Sequence, residues 1–401
     1  MNFIKEGKWA KMNRVNELIK EYCPDGVEIR CLEDCCNLLD KKRKPITKAA
    51  REAGEYPYYG ANGIQDYVAN YIFDGTFVLV GEDGSVITKS GTPVVTWAEG
   101  KIWVNNHAHI IEEKDGVMLR YLYHYLQTID VTSLIHGNIP KLTGGDFKAL
   151  KIAVPPLEVQ REIVHILDSF ALLTAELTAE LTARKKQYEF YRNKLLTFDN
   201  NVKIVPLADI ADIGTGSSNT NEGLEEGKYP FYVRSQEPLR KNEYEYDETA
   251  IITAGDGVGV GKVFHYVEGK YALHQRAYRI HINTPDVLPR YYFHYMRSAF
   301  LSYIQKTMFQ GSVASIRRPM LNQFPVPVPT LDVQKRLVNV LDNFEAICTD
   351  LNIGLPAEIE ARQKQYEYYR DLLLTFAETG STLMTDRQTD RQTDRQTDRQ
   401  T

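Results

Sequence analysis

A chain of 401 residues is long enough for two globular domains plus connectors, each burying its own core. Its net charge of −5 argues against a surface that coats a polyanion throughout and leaves room for local basic patches: Lys41-Lys-Arg-Lys44, Arg240-Lys241 and Arg317-Arg318. The five cysteines (Cys23, Cys31, Cys35, Cys36, Cys348) form no CxxC pair or partnered Cys/His spacing, and no signal-like or membrane-length apolar run is present. A zinc ribbon, a disulfide framework and a membrane span are therefore not expected, and the composition is that of a reduced, cytoplasmic protein.

In chain order, residues 15–32 predict a short helix leading into the first domain, which is assigned to residues 12–154. Within it, Thr76-Phe-Val-Leu-Val80 is a strand bounded by turns, and Arg120-Tyr-Leu-Tyr-His-Tyr125 is helical. The run Ile152-Ala-Val-Pro-Pro156 cannot continue a helix and predicts a hinge. Residues 155–198 then form a long central helix. Its heptad-like series Ile163, Leu167, Phe170, Thr174, Leu177, Leu181, Arg184, Tyr188, Tyr191, Leu195 alternates steps of four and three, the pattern of a coiled-coil seam.

A second domain, residues 199–328, repeats the plan. Ala250-Ile-Ile-Thr253 is its strand, Arg290-Tyr-Tyr-Phe-His-Tyr295 its helix and Phe324-Pro-Val-Pro-Val-Pro329 its hinge. Residues 329–376 form a distal helix whose seam runs through Leu337, Leu341, Phe344, Cys348, Leu351 and Leu355. It gains four residues before Arg362, Tyr366, Tyr369 and Leu373, and Gly354 with Pro356 predicts a break there. Antiparallel pairing with the central helix is the expected arrangement. Residues 377–401 carry four copies of Thr-Asp-Arg-Gln from Thr385 and no apolar residue in the repeat, which predicts disorder. A period of four residues also fits a slippage-prone ACAG tract in the gene.

The two halves are one unit written twice. Pro155-Pro-Leu-Glu-Val-Gln160 returns as Pro329-Thr-Leu-Asp-Val-Gln334, and Tyr56-Pro-Tyr-Tyr-Gly60 as Tyr229-Pro-Phe-Tyr-Val233. Gly81-Glu-Asp-Gly-Ser-Val86 resembles Gly255-Asp-Gly-Val258, Gly137 matches Gly311, and Arg184-Lys-Lys-Gln-Tyr-Glu-Phe-Tyr-Arg192 returns as Arg362-Gln-Lys-Gln-Tyr-Glu-Tyr-Tyr-Arg370. A unit that long is a tandem duplication, not a solenoid repeat.

Catalytic chemistry is missing. Gly255-Asp-Gly-Val-Gly-Val-Gly-Lys262 fails as a phosphate loop, because Asp256 stands where a glycine is required and Val263 replaces the hydroxyl that would hold magnesium. It fails as a dinucleotide fingerprint too, leaving close turns as the explanation of its glycines. No HExxH, GxSxG or Asn/Asp-Pro-Pro-aromatic element occurs. His107-Ala-His109 could offer two metal ligands but has no counterpart in the second half, where His274-Gln-Arg-Ala-Tyr278 stands, so loop histidines are the reading and no metal site is assigned.

The Pro-Pro-Leu-x-x-Gln opening, the tandem Thr174-Ala-Glu-Leu-Thr-Ala-Glu-Leu181 and the paired Gln-Tyr-Glu-aromatic-Tyr-Arg signatures resemble the conserved regions of type I restriction-modification specificity subunits. The likeness covers the layout from about residue 12 to Phe376. It implies an α+β, pseudo-twofold fold: two tandem globular target-recognition domains separated by a pair of long antiparallel coiled-coil helices. It also implies partners: double-stranded DNA carrying a bipartite asymmetric site, two modification subunits that methylate adenine with S-adenosylmethionine, and restriction subunits using ATP and magnesium. No cofactor would be held by this chain. The helices would dock the modification subunits, with Ile163, Leu167, Phe170, Leu177, Leu181, Tyr188, Tyr191, Leu337, Leu341, Phe344, Tyr366 and Tyr369 as the docking and coiled-coil residues.

Base reading needs donors and amides at major-groove edges and cations on phosphates. The candidates are Lys41, Lys42, Arg43, Asn105, Asn106, His107, Lys141 and Lys148 in the first domain. In the second they are Arg234, Gln236, Arg240, Lys241, His274, Gln275, Arg276, Arg317 and Arg318. Four helical residues turn through about 40° and advance ~6 Å, against ~34–36° per base pair, so one more Thr-Ala-Glu-Leu should lengthen the recognised spacer. A two-headed protein-interaction scaffold is the competing reading, disfavoured because a generic spacer has no reason to keep the signature twice. A piece of a fused restriction-methyltransferase is a third, disfavoured by the absence of an enzyme domain in this sequence.

Overall fold

A computed structural model describes residues 14–199, 201–307 and 315–379. The chain divides into two compact units, Met1–Glu176 with Ile359–Thr401, and Leu177–Glu358.

The first unit opens with α1 (residues 14–22), then β1 (Glu28–Cys31), α2 (Leu32–Cys35), β2 (Asn37–Leu38), β3 (Ala53–Gly60), β4 (Gly63–Val68), β5 (Phe73–Gly81), β6 (Val95–Val104) and β7 (Ala108–Glu112). It continues through α3 (Leu119–Leu126), β8 (Ile135–His136), β9 (Lys141–Leu142), α4 (Gly144–Ala149), β10 (Lys151–Val154) and the first half of α5 (Leu157–Leu195). A six-stranded sheet has the order β2-β7-β5-β6-β3-β4. All its pairings are antiparallel except β3 with β6. Alternation along β5 explains why both its faces are buried. Val78 and Val80 join α1, α3, α5 and residues 366–374 in one core, while Phe77 and Leu79 join Ile102, Val104 and Ile110 in another.

The second unit contains the rest of α5, then β11 (Lys203–Pro206), β12 (Ala211–Thr215), β13 (Tyr229–Tyr232), β14 (Leu239–Lys241), β15 (Tyr246–Ala254), β16 (Phe264–Leu273), β17 (Ala277–Ile282) and α6 (Pro289–Thr307). After these come α7 (Arg318–Asn322), β18 (Pro325–Val328), α8 (Leu331–Thr349) and the start of α9 (Leu355–Thr379). Its sheet order, β12-β17-β15-β16-β13-β14, reproduces that of the first unit, including one parallel pair. The register fixes the equivalence residue by residue. Phe73 faces Ile102 as Tyr246 faces Tyr271, and Gly81 faces Ala108 as Ala254 faces Ala277. Gly81 is thus level with Ala254, not with Gly255, and Asp83-Gly84 with Asp256-Gly257. Gly137 lies in the turn between β8 and β9, whereas its expected match Gly311 lies outside the described residues.

Three expectations need correction, at the proline-rich runs, at Leu351 on the seam and at the start of the tail, while the break expected at Gly354 and Pro356 is present. The proline-rich runs are more than hinges: Lys151–Val154, before Pro155, form β10 paired with β1, and Pro325–Val328 form β18 paired with β11 in a two-stranded ribbon, where a proline's N–H side can face away from the partner strand. The distal helix is two helices. The chain leaves α8 at Asp350 and resumes at Leu355, so Leu351, expected on the seam, is 70% exposed. Gly354 is required there, because a Cβ would stand 2.6 Å from the Ala346 carbonyl oxygen, and Pro356 sits in the first turn of α9, where its ring fits. The predicted tail also begins late: residues 377–379 are helical, and the Thr-Asp-Arg-Gln repeats lie outside the described residues.

Helix α5 needs little explanation. Its 39 residues contain no glycine or proline and are rich in Ala, Leu, Glu, Lys and Arg. At 1.5 Å per residue it spans roughly 58 Å. Its seam residues are buried at either end, at Ile163, Leu167 and Phe170 and again at Tyr188, while Leu177 and Leu181 are half-buried and Tyr191 and Leu195 exposed. In the first unit Phe170 stacks on Tyr369 at 5.0 Å, and in the second Tyr191 meets Phe344 at 6.2 Å. Leu341 is buried and Leu337 half-buried, both in the second unit's core. No described helix is long and apolar enough to cross a membrane.

Candidate nucleic-acid interface

Each sheet is held to its helices by the same polar clamp. In the first unit, buried His124 on α3 lies with Nε2 2.8 Å from Asp168 of α5 and Nδ1 2.9 Å from the Tyr366 hydroxyl. Arg120 donates to the same Asp168 oxygen at 2.7 Å and stacks over Trp97 and Tyr123. In the second unit, His294 is 2.7 Å from Asp342 and 3.5 Å from the Tyr188 hydroxyl, and Arg290 donates to Asp342 at 2.8 Å over Tyr266 and Phe293. Gln160 and Gln334, the glutamines of the repeated opening, accept from the Met118 and Leu288 amides at 2.9 and 2.8 Å.

Burial lowers the pKa of both histidines, outweighing the carboxylates beside them. Burial opposes ionisation of Asp168, but its bonds from His124 and Arg120 outweigh that and hold its pKa below the usual carboxylate range. The tyrosine of each signature therefore serves the recognition domain of the other repeat. Tyr188 and Tyr366, assigned from sequence to docking and the coiled coil, are 6% and 7% exposed and packed within the chain. The second aromatic of each signature faces outward: Phe190 is 61% and Tyr368 51% exposed.

At one end of each sheet the candidate readers gather on equivalent loops. In the first unit, Glu82 receives Arg43 at 2.6 Å and Lys141 at 3.2 Å, and Asp83 pairs with His107. Asn105 is buried and accepts from the His107 amide at 2.8 Å. In the second unit, Asp256 receives Arg234 at 2.6 Å and Arg276 at 3.0 Å. His274 is buried and its Nδ1 accepts from the Arg276 amide, and Gln275 bonds Asn219 at 2.5 Å. The scaffold is the same: the Asn105 and His274 amides donate to the Tyr59 and Tyr232 carbonyls, and Asp83 bridges Lys141 as Asp256 bridges Ser315. His107 is therefore the counterpart of Arg276, and Asp83 of Asp256. Burial disfavours the Asp256 carboxylate, but bonds from Arg234 and Arg276 outweigh it and lower its pKa.

The other candidates fall nearby or apart. Lys41 and Lys42 are exposed on the turn that carries Asp40, whose carboxylate holds buried His109 at 2.7 Å. Asn106 and Gln236 are exposed in the loops beside Asn105 and Arg234, and Arg317 and Arg318 follow Ser315 at the start of α7. Lys241 reaches Ser218, which bridges His274, and also Glu222 at 2.8 Å. Arg240 is turned to the Gly227 and Lys228 carbonyls, and Lys148 lies on α4. Residues missed from sequence are the acids Glu82, Asp83 and Asp256 that organise these cations; the Asp-Gly pair present in both halves was the available signal. Asp40, Glu82 and His109 are close enough to share a cation, as are His294, Asp342 and Glu345, but arginines already supply that charge: Arg43 in the first set, Arg290 and Arg297 in the second.

Residues 24–184 and 199–361 each match the family described as type I restriction modification DNA specificity domain. The chain is 35% identical over 378 residues to a putative type I restriction enzyme specificity subunit of Haemophilus influenzae, covering 88% of this chain and 96% of that protein. It is 35% identical over 296 residues to the EcoR124I/EcoR124II type I specificity subunit of Escherichia coli, covering 66% and 72%. Among solved structures, the type I restriction-modification S subunit from M. genitalium shares the fold, with a TM-score of 0.52 at 17% identity over 87% of this chain and 95% of that one.

Proposed function

The chain belongs to the type I restriction-modification DNA specificity family, and we propose that it is the noncatalytic subunit that reads a bipartite, asymmetric DNA site, one half with each unit. The observation that carries this reading is the equivalence of the two loop clusters. Around the buried Asn105 and His274, the same backbone positions hold His107 and Lys141 in one unit and Arg276 and Ser315 in the other, so one scaffold offers two different sets of polar groups to two half-sites. Two modification subunits dock on the helices, using the outward rings Phe190 and Tyr368 at equivalent places in the two signatures. Those subunits supply adenine methylation with S-adenosylmethionine, restriction subunits supply ATP- and magnesium-dependent cleavage, and the assembly works in the cytoplasm.

Continuous helix between the first and second Thr-Ala-Glu-Leu copies and Tyr188 supports a ruler role for α5. Mapping N6-methyladenine genome-wide in cells that express the chain with a modification subunit tests the proposal. A single two-part motif is expected, and one further Thr-Ala-Glu-Leu inserted after Leu181 lengthens its gap. Absence of any bipartite motif would favour the scaffold reading.

A further inference from the structure

The Asp-Gly turn shared by the two units presents one outward side chain in each, and the two differ in chemistry. In the first unit the turn runs Asp83-Gly84-Ser85-Val86: Gly84 has φ +84°, Ser85 is exposed and Val86 is fully buried. In the second it runs Asp256-Gly257-Val258-Gly259-Val260: Gly257 has φ +79°, Val258 is 96% exposed and Val260 is 5% exposed. The first is closed by a bond from the Val86 amide to the Gly84 carbonyl two residues back, and the second, one residue wider, by a bond from the Val260 amide to the Gly257 carbonyl three residues back.

The second loop is built to hold its shape. A Cβ at Gly259 would stand 2.5 Å from the Arg234 carbonyl oxygen, and Gly261, at φ +68°, packs where a Cβ would meet Ile304 at 2.6 Å. Asp256 ties its base to Arg234 and Arg276. The loop inserts Val260 and Val263 into the interior and leaves Val258 in water, on the same turn as the arginine-bound Asp256.

We propose that Val258 is a specificity-determining residue that contacts the 5-methyl group of a thymine in the half-site read by the second unit, with Ser85 as its polar counterpart in the first. This rests on the reading of the loop clusters as the DNA-facing surface. The thymine methyl is the one apolar group on the major-groove edges of the base pairs. Two arginines held by Asp256 at the base of the turn that carries an exposed valine suit a polyanion carrying such a group better than an apolar protein partner. The rigid turn means little ordering cost on binding, and Ser85, with a hydroxyl in the same place, has no preference for a methyl.

The test uses the full chain assembled with its modification subunit and a duplex carrying its methylated motif. Each thymine, on either strand of both halves, is replaced in turn by deoxyuridine, which removes only the methyl, and affinity is measured for the wild type, Val258→Ala, Val258→Ser and Ser85→Ala. One thymine in one half-site is expected to lose about fourfold in affinity when demethylated, the worth of one buried methyl-sized group. That loss should vanish in both Val258 variants and persist in Ser85→Ala, with unfolding midpoints unchanged. A Val258→Ala complex with the wild-type deoxyuridine profile at every position would overturn the proposal, as would a half-site made only of G·C pairs. Loss of modification-subunit binding with base preference unchanged would also overturn it, because that outcome assigns Val258 to a protein contact. If the wild type methylates no bipartite motif, the function proposed above fails first.

Discussion

The two clamps and the two loop clusters have opposite histories within one duplication. His124, Asp168, Arg120 and Tyr366 correspond to His294, Asp342, Arg290 and Tyr188 group for group, whereas at the sheet ends Arg276 stands at the position equivalent to His107, and Val258 to Ser85. The duplication has kept what joins a domain to the helices and changed what the domain presents. A clamp must satisfy buried polar groups, and there are few ways to do that. A reading surface faces water and is free to vary with its target.

That contrast can be broken by substitution, and the largest effects belong to the clamps. His124→Ala and His294→Ala each strip a fully buried side chain, remove the imidazole from a tyrosine hydroxyl and leave the carboxylate only its arginine. Each should cost roughly 2–4 kcal/mol in chemical denaturation; a marked difference between the two would show that the clamps are not equivalent. The next effect separates the buried from the exposed aromatics. Phe190→Ala and Tyr368→Ala should weaken capture of the modification subunit roughly tenfold each, as for an interface anchor, with no change in unfolding midpoint.

Arg276→Gln should cost on the order of 1–2 kcal/mol in DNA affinity for sites altered in one half only, and His107→Ala should act on the other half. Band-shift titrations on half-site variants read this directly. The smallest effect is pH. Burial depresses the pKa of both clamp histidines, so the unfolded chain binds more protons than the folded one in acid. Their stabilising contribution is present above the unfolded-histidine value of about 6.5 and is lost as pH falls through the lower folded value. Denaturation midpoints at pH 8 and 5.5 should show the loss, and His124→Gln with His294→Gln should flatten it.

Helix α5 was legible because nothing in its 39 residues interrupts a heptad pattern, and Gly354-Leu-Pro356 announced the break between α8 and α9 for steric reasons that operate locally. The clamps were not legible. Both histidines and both signatures stood out, but Tyr366 and His124 are 242 positions apart, and the exchange of tyrosines between repeats is a property of the folded chain. The ribbons of β10 and β18 were not legible because Pro155-Pro156 directly follow β10, and because proline, present in β18, argues against a ladder in general but not on a two-stranded edge. At the reading surface the cations Arg43, Lys141, Arg234 and Arg276 were legible by type, whereas Glu82 and Asp256, which fix where they sit, and Asp83, which holds His107, were not, because acids on a surface that binds a polyanion carry no signal by themselves. Val258 was hidden in a glycine-rich run whose glycines drew the attention.

The central claim is that each unit reads its own half of one DNA site. Genome-wide N6-methyladenine mapping in cells carrying the chain with its modification subunit, wild type against a Gln275→Ala, Arg276→Gln variant, tests it most directly. A motif altered or relaxed in one half, with the gap and the other half unchanged, is the expected result; change in both halves, or no two-part motif in the wild type, would contradict it.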